Sequence, residues 1–174
     1  MTIENHIKSI LKERANLLKI QIEKDDISSG LLDCIEFILE GERYAMESVF
    51  VSEVIPLMEI TPLPCTPGFI LGIVNVRGKI ISIIDMKKFF GLPEKGITNL
   101  NRVVIIKYNG VELGILADEI VGNTKIQLNK LQSKIKTITD IHNGFILGVT
   151  KERLIVLDIK EFLLNKKLII DDEV

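Results

Sequence analysis

The alternation of apolar and polar positions divides the chain into an N-terminal helix and a long β-rich body. Within residues 3–24, apolar side chains recur at three- and four-residue steps with charges between them, which predicts an amphipathic helix. Residues 25–30 are rich in turn formers and end this helix. The helix either docks on the body or presents its apolar face to a partner. We therefore divide the chain into a helix with its linker, residues 1–30, and a body, residues 31–174.

Within the body, short apolar runs separated by Gly, Pro and Asn turns predict a series of β-hairpins. The clearest turn is Asn109-Gly110, because Asn-Gly favours a two-residue connection between antiparallel strands. Arg77-Gly78 is a second predicted turn. The predicted elements are strands at residues 34–39, 44–46, 49–57, 71–76, 79–84, 103–108, 112–117, 144–149 and 153–157, helical turns at 85–90 and 158–164, and an unassigned stretch at 123–139.

One motif occurs twice, which indicates an internal duplication. Residues 68–72 and 144–148 both read Gly-Phe-Ile-Leu-Gly, and each is followed by an apolar run and then by Asp, Lys and Phe at alternate positions. The second copy is three residues shorter, because Thr150-Lys151-Glu152-Arg153 replaces the region of Asn75-Val76-Arg77-Gly78. Since the scaffold is duplicated and the longer hairpin is not, we interpret that hairpin as the working part.

The strand pattern also predicts the fold class. Strands that are apolar on both faces, such as residues 80–84, suit a small closed barrel better than a sheet with one solvated face. Many short strands with regular turns favour barrels or a sandwich. The duplication favours two of them, so we predict an all-β body whose two barrel halves are residues 34–100 and 101–165.

Charge and composition exclude several classes of function. A net charge of −2 implies no basic face, so nucleic acid is not an expected partner. Cys34 and Cys65 are too few for a disulfide framework, and His6 and His142 lack the spacing of metal ligands. No apolar run reaches the roughly 18 residues of a membrane span, and early charges argue against a signal peptide. We expect a cytoplasmic protein without a metal or a cofactor.

Two sets of polar residues are candidate sites. Asp85 and Asp158 first suggest paired catalytic carboxylates, but each stands where a strand ends and a helical turn begins, which favours helix N-caps. In the longer hairpin, Gly78 supplies the positive φ of a tight turn and Asn75 can accept a backbone hydrogen bond. Arg77 would then stand on a rigid turn and offer five donors in fixed geometry to a partner. The alternative is a solvated turn without a role.

The sequence around this turn, residues 72–86, resembles the central motif of the CheW family, adaptor proteins of bacterial and archaeal chemosensory arrays. Residues 36–46 are similar to the family's opening hairpin, and residues 114–122 are similar to its mid-chain strand. Taken in order, the resemblance covers residues 31–164. Two positions depart from the pattern, because Ser82 stands where the family often has proline and Met86 where it often has leucine.

The resemblance implies two packed, five-stranded SH3-like barrels and a non-enzymatic scaffold that couples chemoreceptors to the histidine kinase CheA. Its partners would be the cytoplasmic tips of methyl-accepting chemoreceptors and the regulatory domain of CheA. The protein would be recruited to membrane-associated receptor arrays without inserting into the membrane. Asn75 and Gly78 would hold the hairpin in shape. Carried over by position, the partner-facing residues are Val51, Glu53, Arg77 and Val103.

Two alternatives remain open at this point. A CheW-like adaptor could serve a chemosensory pathway that controls surface motility or development instead of chemotaxis. A small β-barrel hydrolase or ligand-binding protein is more distant, because a hydrolase needs a nucleophile beside a base. Neither His6 nor His142 stands near an obvious Ser or Cys motif.

Overall fold

The computed structural model describes residues 30–93, 96–132, 144–165 and 168, so the helix predicted at residues 3–24 lies outside the described residues. Strands β1–β10 are, in chain order, Leu31–Leu39, Glu42–Glu47, Val51–Pro56, Ile70–Val76, Lys79–Asp85, Arg102–Tyr108, Val111–Ala117, Glu119–Gln127, Ile146–Val149 and Ile155–Leu157. The helices are α1 (Met86–Phe90) and α2 (Ile159–Leu163), with 3₁₀ turns at Ser48–Phe50 and Leu128–Lys130. Within these described ranges, no helix is long and apolar enough to cross a membrane.

The strands form two five-stranded sheets of matching arrangement. We call the sheet of order β8-β1-β2-β10-β9 lobe 1, and the sheet of order β3-β6-β7-β5-β4 lobe 2. One pair in each lobe is parallel, β10 with β2 and β5 with β7, and the other pairs are antiparallel. Each lobe has its own buried apolar interior. The predicted all-β fold of two packed, five-stranded SH3-like barrels is therefore confirmed.

The predicted division of the barrels near residue 100 is wrong, because each lobe takes strands from both halves of the chain. The β1–β2 hairpin pairs with β8 and β10, and the β6–β7 hairpin pairs with β3 and β5. The chain leaves lobe 1 after β2, at Ser48–Phe50, and returns to it after β7, at Asp118. The two repeats, β1–β5 and β6–β10, thus exchange their first hairpins. A sequence repeat reveals equivalent segments, but it does not reveal which of them pair.

A third apolar cluster lies between the lobes and joins them. It combines fully buried side chains of lobe 1, such as Phe37 and Met46, with those of lobe 2, such as Ile106 and Ile115. Full burial of one such side chain contributes roughly 1.5–3 kcal/mol. The two lobes therefore pack as one body around this central core.

The repeated Gly-Phe-Ile-Leu-Gly motif has a steric explanation in both lobes. In each lobe, the segment before the motif passes close to the last glycine of the motif. A β-bridge joins this segment to the residue after that glycine, which in lobe 2 is the bridge of Thr61 with Ile73. A Cβ on Gly72 would lie 2.2 Å from the carbonyl oxygen of Thr61, and Gly72 also has φ +143°. At Gly148 a Cβ would lie 2.9 Å from the Cβ of Leu131. Only glycine permits this close backbone approach.

The repeated phenylalanines meet between the lobes. Phe69, Phe89, Phe145 and Phe162 contact one another edge to face, with ring centroids 5.1 to 5.8 Å apart. This arrangement is favourable for aromatic rings, and each such pair contributes about 0.5–1.5 kcal/mol beyond the area it buries. The equivalent positions of the two repeats therefore form one shared cluster.

Candidate partner-binding site

The β4–β5 hairpin is longer than its counterpart in the other repeat, the β9–β10 hairpin. Val76 pairs with Lys79, which leaves Arg77-Gly78 as a two-residue turn with φ values of 51° and 85°. Positive φ at both central positions is the type I′ geometry that matches the twist of the flanking strands. Asn75 Oδ1 accepts a 2.8 Å hydrogen bond from the Gly78 N–H and closes the turn. The hairpin is therefore a rigid arm, as the sequence predicted.

The tip of this arm is fixed to the opposite edge of lobe 2 by an ion pair. Arg77 Nη2 lies 3.0 Å from Glu53 Oε2, and Nη1 donates to Oε1 at 3.4 Å. Glu53 belongs to β3, at the far end of the strand order from β4. The pair thus spans the two edge strands of the sheet. It brings together two of the residues that the sequence predicted to face a partner.

This ion pair contributes little to stability, but it leaves charged hydrogen-bond donors exposed at the surface. The Arg77 side chain is 81 % exposed and the Glu53 side chain 28 % exposed. Exposed pairs are typically worth under about 1 kcal/mol, because water and salt screen them. Only two of the five guanidinium donors are used, so the others remain available to a partner. The pair thus presents an oriented, charged group on a tight turn at the surface of lobe 2.

Val51 lies on the same strand, at the first position of β3. It is half-buried, pairs with Ile106 and packs partly against the central core. A register shift between Val51 and Glu53 indicates a β-bulge, which re-aims side chains along an edge strand. Val51 is thus partly accessible beside the Arg77–Glu53 pair.

The expectation that Val103 faces a partner is wrong, because Val103 is fully buried. It lies on β6, an inner strand of lobe 2, opposite Ile55 of β3. Its Cγ1 atom is 2.7 Å from the point where a Cβ on Gly114 would lie, so it fills the interior of lobe 2. Both faces of β6 are covered, one by this interior and one by the central core. Val103 therefore supports β3 from inside and does not contact a partner.

Sequence reasoning missed one residue that extends the surface of the arm. Ile80, predicted to be buried with the rest of its strand, is 63 % exposed. The neighbouring Lys79 has its Nζ 3.3 Å from Glu112 Oε2 of β7. The alternation of β5 was the available signal for Ile80, because Ile81 and Ile83 point into lobe 2 and Ile80 to the other face.

Asp85 and Asp158 cap the two helices and do not form a shared acidic site. Asp85 Oδ1 accepts hydrogen bonds from the backbone N–H groups of Lys87 and Lys88, at 2.9 and 3.4 Å. Asp158 Oδ1 accepts from the Glu161 N–H at 3.1 Å. Each carboxylate is thus engaged by its own helix N-terminus, the position predicted from the sequence.

The two cysteines differ in their surroundings. Cys34 is buried, and desolvation, with smaller effects of Glu47 and Asp33, raises the pKa of its thiol to about 12. Cys65 is exposed in the proline-rich loop before β4. In the described part of the chain, no three His, Cys, Asp or Glu side chains converge as metal ligands would.

Three comparisons relate this chain to known proteins. Residues 33–166 match the family model described as CheW-like domain. The chain is 33 % identical over 141 residues to the chemotaxis protein CheW of Treponema pallidum, covering 77 % of this chain and 83 % of the relative. It is 25 % identical over 142 residues to the chemotaxis protein CheW of Helicobacter pylori, covering 80 % and 86 %. The crystal structure of the scaffolding protein TtCheW from Thermoanaerobacter tengcongensis is similar with a TM-score of 0.66 and 32 % identity, covering 72 % of this chain and 88 % of that one.

Proposed function

This chain belongs to the CheW-like domain family, and on that premise we propose that it couples chemoreceptors to the histidine kinase CheA. The family assignment makes it a scaffold or adaptor of chemotaxis signalling. The proposal adds the two partners and the absence of any reaction of its own. Coupling of this kind needs two distinct surfaces and differential contacts in two states, not a reactive centre.

The observation that carries the proposal is the arm with its Arg77–Glu53 pair. A docking surface needs oriented groups that lose little freedom on binding, and the type I′ turn with its Asn75 hydrogen bond supplies that rigidity. Arginine is enriched among the few interface residues that dominate binding energy. We assign this surface, with Val51 beside it, to the receptor tip.

The second partner would be the regulatory domain of CheA, on a surface other than the arm. Two separable interfaces on one small chain are expected to be modest, near or below about 1,200 Å² each. Micromolar affinities, about −8 kcal/mol, fit such interfaces. An assembly built from several weak contacts brings receptor and kinase together, and the protein would act in the cytoplasm at membrane-associated receptor arrays.

A pair of matched arginine variants tests the receptor surface. Arg77→Ala should weaken binding of a receptor-tip fragment about 30-fold, or ~2 kcal/mol, by titration calorimetry. Arg153→Ala is the control, because Arg153 occupies the turn of the second repeat with a similar φ of 62° and is also exposed. Neither variant should lower the Tm by more than about 4 °C. Equal receptor affinity of the two variants would remove Arg77 from the site.

Reconstitution tests the coupling itself. The protein is mixed with receptor-tip fragments and CheA, and kinase autophosphorylation and co-sedimentation are measured together. The proposal expects a ternary complex and a change in kinase activity that requires all three components. If kinase activity is the same with and without this protein while both partners bind it, the proposed coupling is wrong.

A further inference from the structure

One buried cation lies where the two lobes meet. Lys87 of α1 is only 2 % exposed, and its Nζ atom lies 2.6 Å from Asp118 Oδ1. A buried ammonium group is tolerated only when it is paired, because leaving water is costly for a charge. The position of Asp118 is therefore set by Lys87 as well as by the strands on either side of it.

Asp118 receives hydrogen bonds from both lobes. It lies at the crossing from β7 of lobe 2 to β8 of lobe 1, and its backbone N–H donates to the Ile38 carbonyl of lobe 1 at 3.0 Å. Its Oδ2 accepts from the backbone N–H of Glu40, in the β1–β2 turn of lobe 1, at 2.8 Å. On the side of lobe 2, Asn101 Nδ2 donates to Asp118 Oδ1 at 3.3 Å. One carboxylate thus ties both lobes together.

The protonation of this carboxylate agrees with the geometry. Burial by itself would raise the pKa of Asp118, but the hydrogen bonds from Lys87, the Glu40 N–H and Asn101, together with the charge of Lys87, hold the pKa below its ordinary value. The ionised form is therefore the one that the folded protein stabilises. Asn101 is itself fixed, because its Nδ2 also donates to the Ala117 carbonyl at 3.1 Å.

The other repeat lacks this arrangement. Lys160 of α2 is the counterpart of Lys87, but it is exposed, and its Nζ lies 5.5 Å from the centroid of the Phe50 ring. The two repeats can be aligned on their first hairpin turns, Glu40-Gly41 and Asn109-Gly110. In that alignment, Val49 corresponds to Asp118. Since Val49 has no carboxylate, the Lys87–Asp118 pair has no counterpart at this position.

We propose that Lys87, Asp118 and Asn101 form a positioning node that fixes the angle between the two lobes. The central core supplies most of the packing, but apolar burial is non-directional and tolerates alternative arrangements. A buried charge pair with satisfied hydrogen bonds permits one arrangement, because any other leaves Lys87 uncompensated. This inference does not depend on the identity of the partners.

The test measures the angle between the lobes by electron–electron double resonance. Spin labels are placed at Glu59→Cys in lobe 2, between residues that pack against its interior, and at Lys151→Cys in the β9–β10 turn of lobe 1. The background is Cys65→Ser, since Cys34 is buried and does not react. The node is neutralised by Lys87→Met with Asp118→Asn, which keeps an acceptor for the Glu40 N–H. We expect the distance distribution to broaden at least twofold.

Lys160→Met is the matched control and should leave the distribution as narrow as in the parent. A folded double variant with an unchanged distribution overturns the proposal. If the double variant does not fold, Asp118→Glu takes its place, because it keeps the charge and moves the carboxylate by one methylene. It should displace the mean distance, and an unmoved mean in that folded variant would equally overturn the proposal. Circular dichroism establishes folding in each case.

Discussion

Lobe 1 and lobe 2 share a strand order but differ at their hairpins. In lobe 2, β4 and β5 each have seven residues and end in the Arg77-Gly78 turn. In lobe 1, β9 and β10 have four and three residues and are joined by residues 150–154. Glu53 of β3 pairs with Ile105 of β6. In lobe 1 the corresponding pair is Gly122 of β8 with Glu36 of β1, so Gly122 stands in the place of Glu53. Lobe 1 thus lacks the arm and also lacks its carboxylate partner.

The features that the lobes have in common serve the scaffold, and the arm, which lobe 1 lacks, carries the proposed recognition surface. The last glycine of the motif, the helix-capping aspartate and the clustered phenylalanines occur in both repeats and have structural explanations. The arm, its ion pair and the buried Lys87 occur in one repeat only. The duplication therefore distinguishes positions that both repeats share from positions that only one repeat has.

The largest effect is expected at the last glycine of the repeated motif, which is Gly72 in lobe 2 and Gly148 in lobe 1. Gly72→Ala should lower the free energy of unfolding by about 4 kcal/mol, because its Cβ would meet backbone and its φ is strained for alanine. Gly148→Ala should cost about 2 kcal/mol, since its Cβ meets a side chain. Urea denaturation measures both. Gly68→Ala is the control, with nothing within 4 Å of its Cβ, and equal costs at Gly72 and Gly148 would contradict the steric argument.

The second largest difference in stability cost between the lobes is expected at the Lys87–Asp118 pair. Asp118→Ala leaves a buried ammonium unpaired and should cost about 3 kcal/mol in urea denaturation. Lys160→Met, at the equivalent helix of lobe 1, should change stability by less than about 0.5 kcal/mol, as an exposed substitution does. Similar costs for the two variants would show that Lys87 and Lys160 are energetically alike.

The same carboxylate predicts a pH dependence. Because the pKa of Asp118 is lower in the folded than in the unfolded state, the unfolded state binds more protons in acid. The contribution of Asp118 is therefore fully present above the ordinary aspartate pKa of about 3.9, and it is lost as the pH falls through the folded value. The stability difference between wild type and Asp118→Asn should shrink as the pH is lowered from 6 towards 3. A pH-independent difference would contradict this linkage.

Exchanging the charges of the arm separates recognition from folding. Arg77→Glu combined with Glu53→Arg keeps an exposed ion pair, so the Tm should stay close to that of wild type. Receptor-tip binding should nevertheless remain about 30-fold weaker, because the guanidinium no longer stands on the arm. If the exchanged pair restores the wild-type Kd, the pair acts only by holding the two edge strands together.

The smallest effects are expected at the helix caps. Asp85→Ala should cost about 1.5 kcal/mol, because Asp85 is buried and accepts two backbone hydrogen bonds. Asp158→Ala should cost about 0.5–1 kcal/mol, because it accepts one. Thermal unfolding followed by circular dichroism measures both. A larger cost at Asp158 would reverse the order that the cap geometry predicts.

Local features were predictable from the sequence, whereas distant pairing was not. Turns and helix caps depend on neighbouring residues, so they can be predicted from the local sequence. Examples are the turns at Arg77-Gly78 and Asn109-Gly110 and the caps at Asp85 and Asp158. Strand β8 was not among the predicted strands, because Gly122 and Asn123, residues that strands disfavour, interrupt its β formers. The contact of Glu53 with Arg77 was not predicted, because the family resemblance implied only that both residues face a partner.

Three further features depend on which strands meet, and no local pattern encodes that. The exchange of first hairpins, the burial of Val103 on an inner strand and the contact of Lys87 with Asp118 all follow from the pairing of distant segments. The register of such strands is set by packing across the sheet. An inner strand and an edge strand of similar composition therefore look alike in sequence.

The exchanged hairpins also impose an order on synthesis. Lobe 2 has all its strands once the ribosome has delivered β7, but the β1–β2 hairpin of lobe 1 must wait for β10. The lobe that carries the arm can therefore close first, while the earliest strands of the nascent chain stay incompletely paired. Such late, long-range closure slows folding and prolongs the exposure of unpaired strand edges.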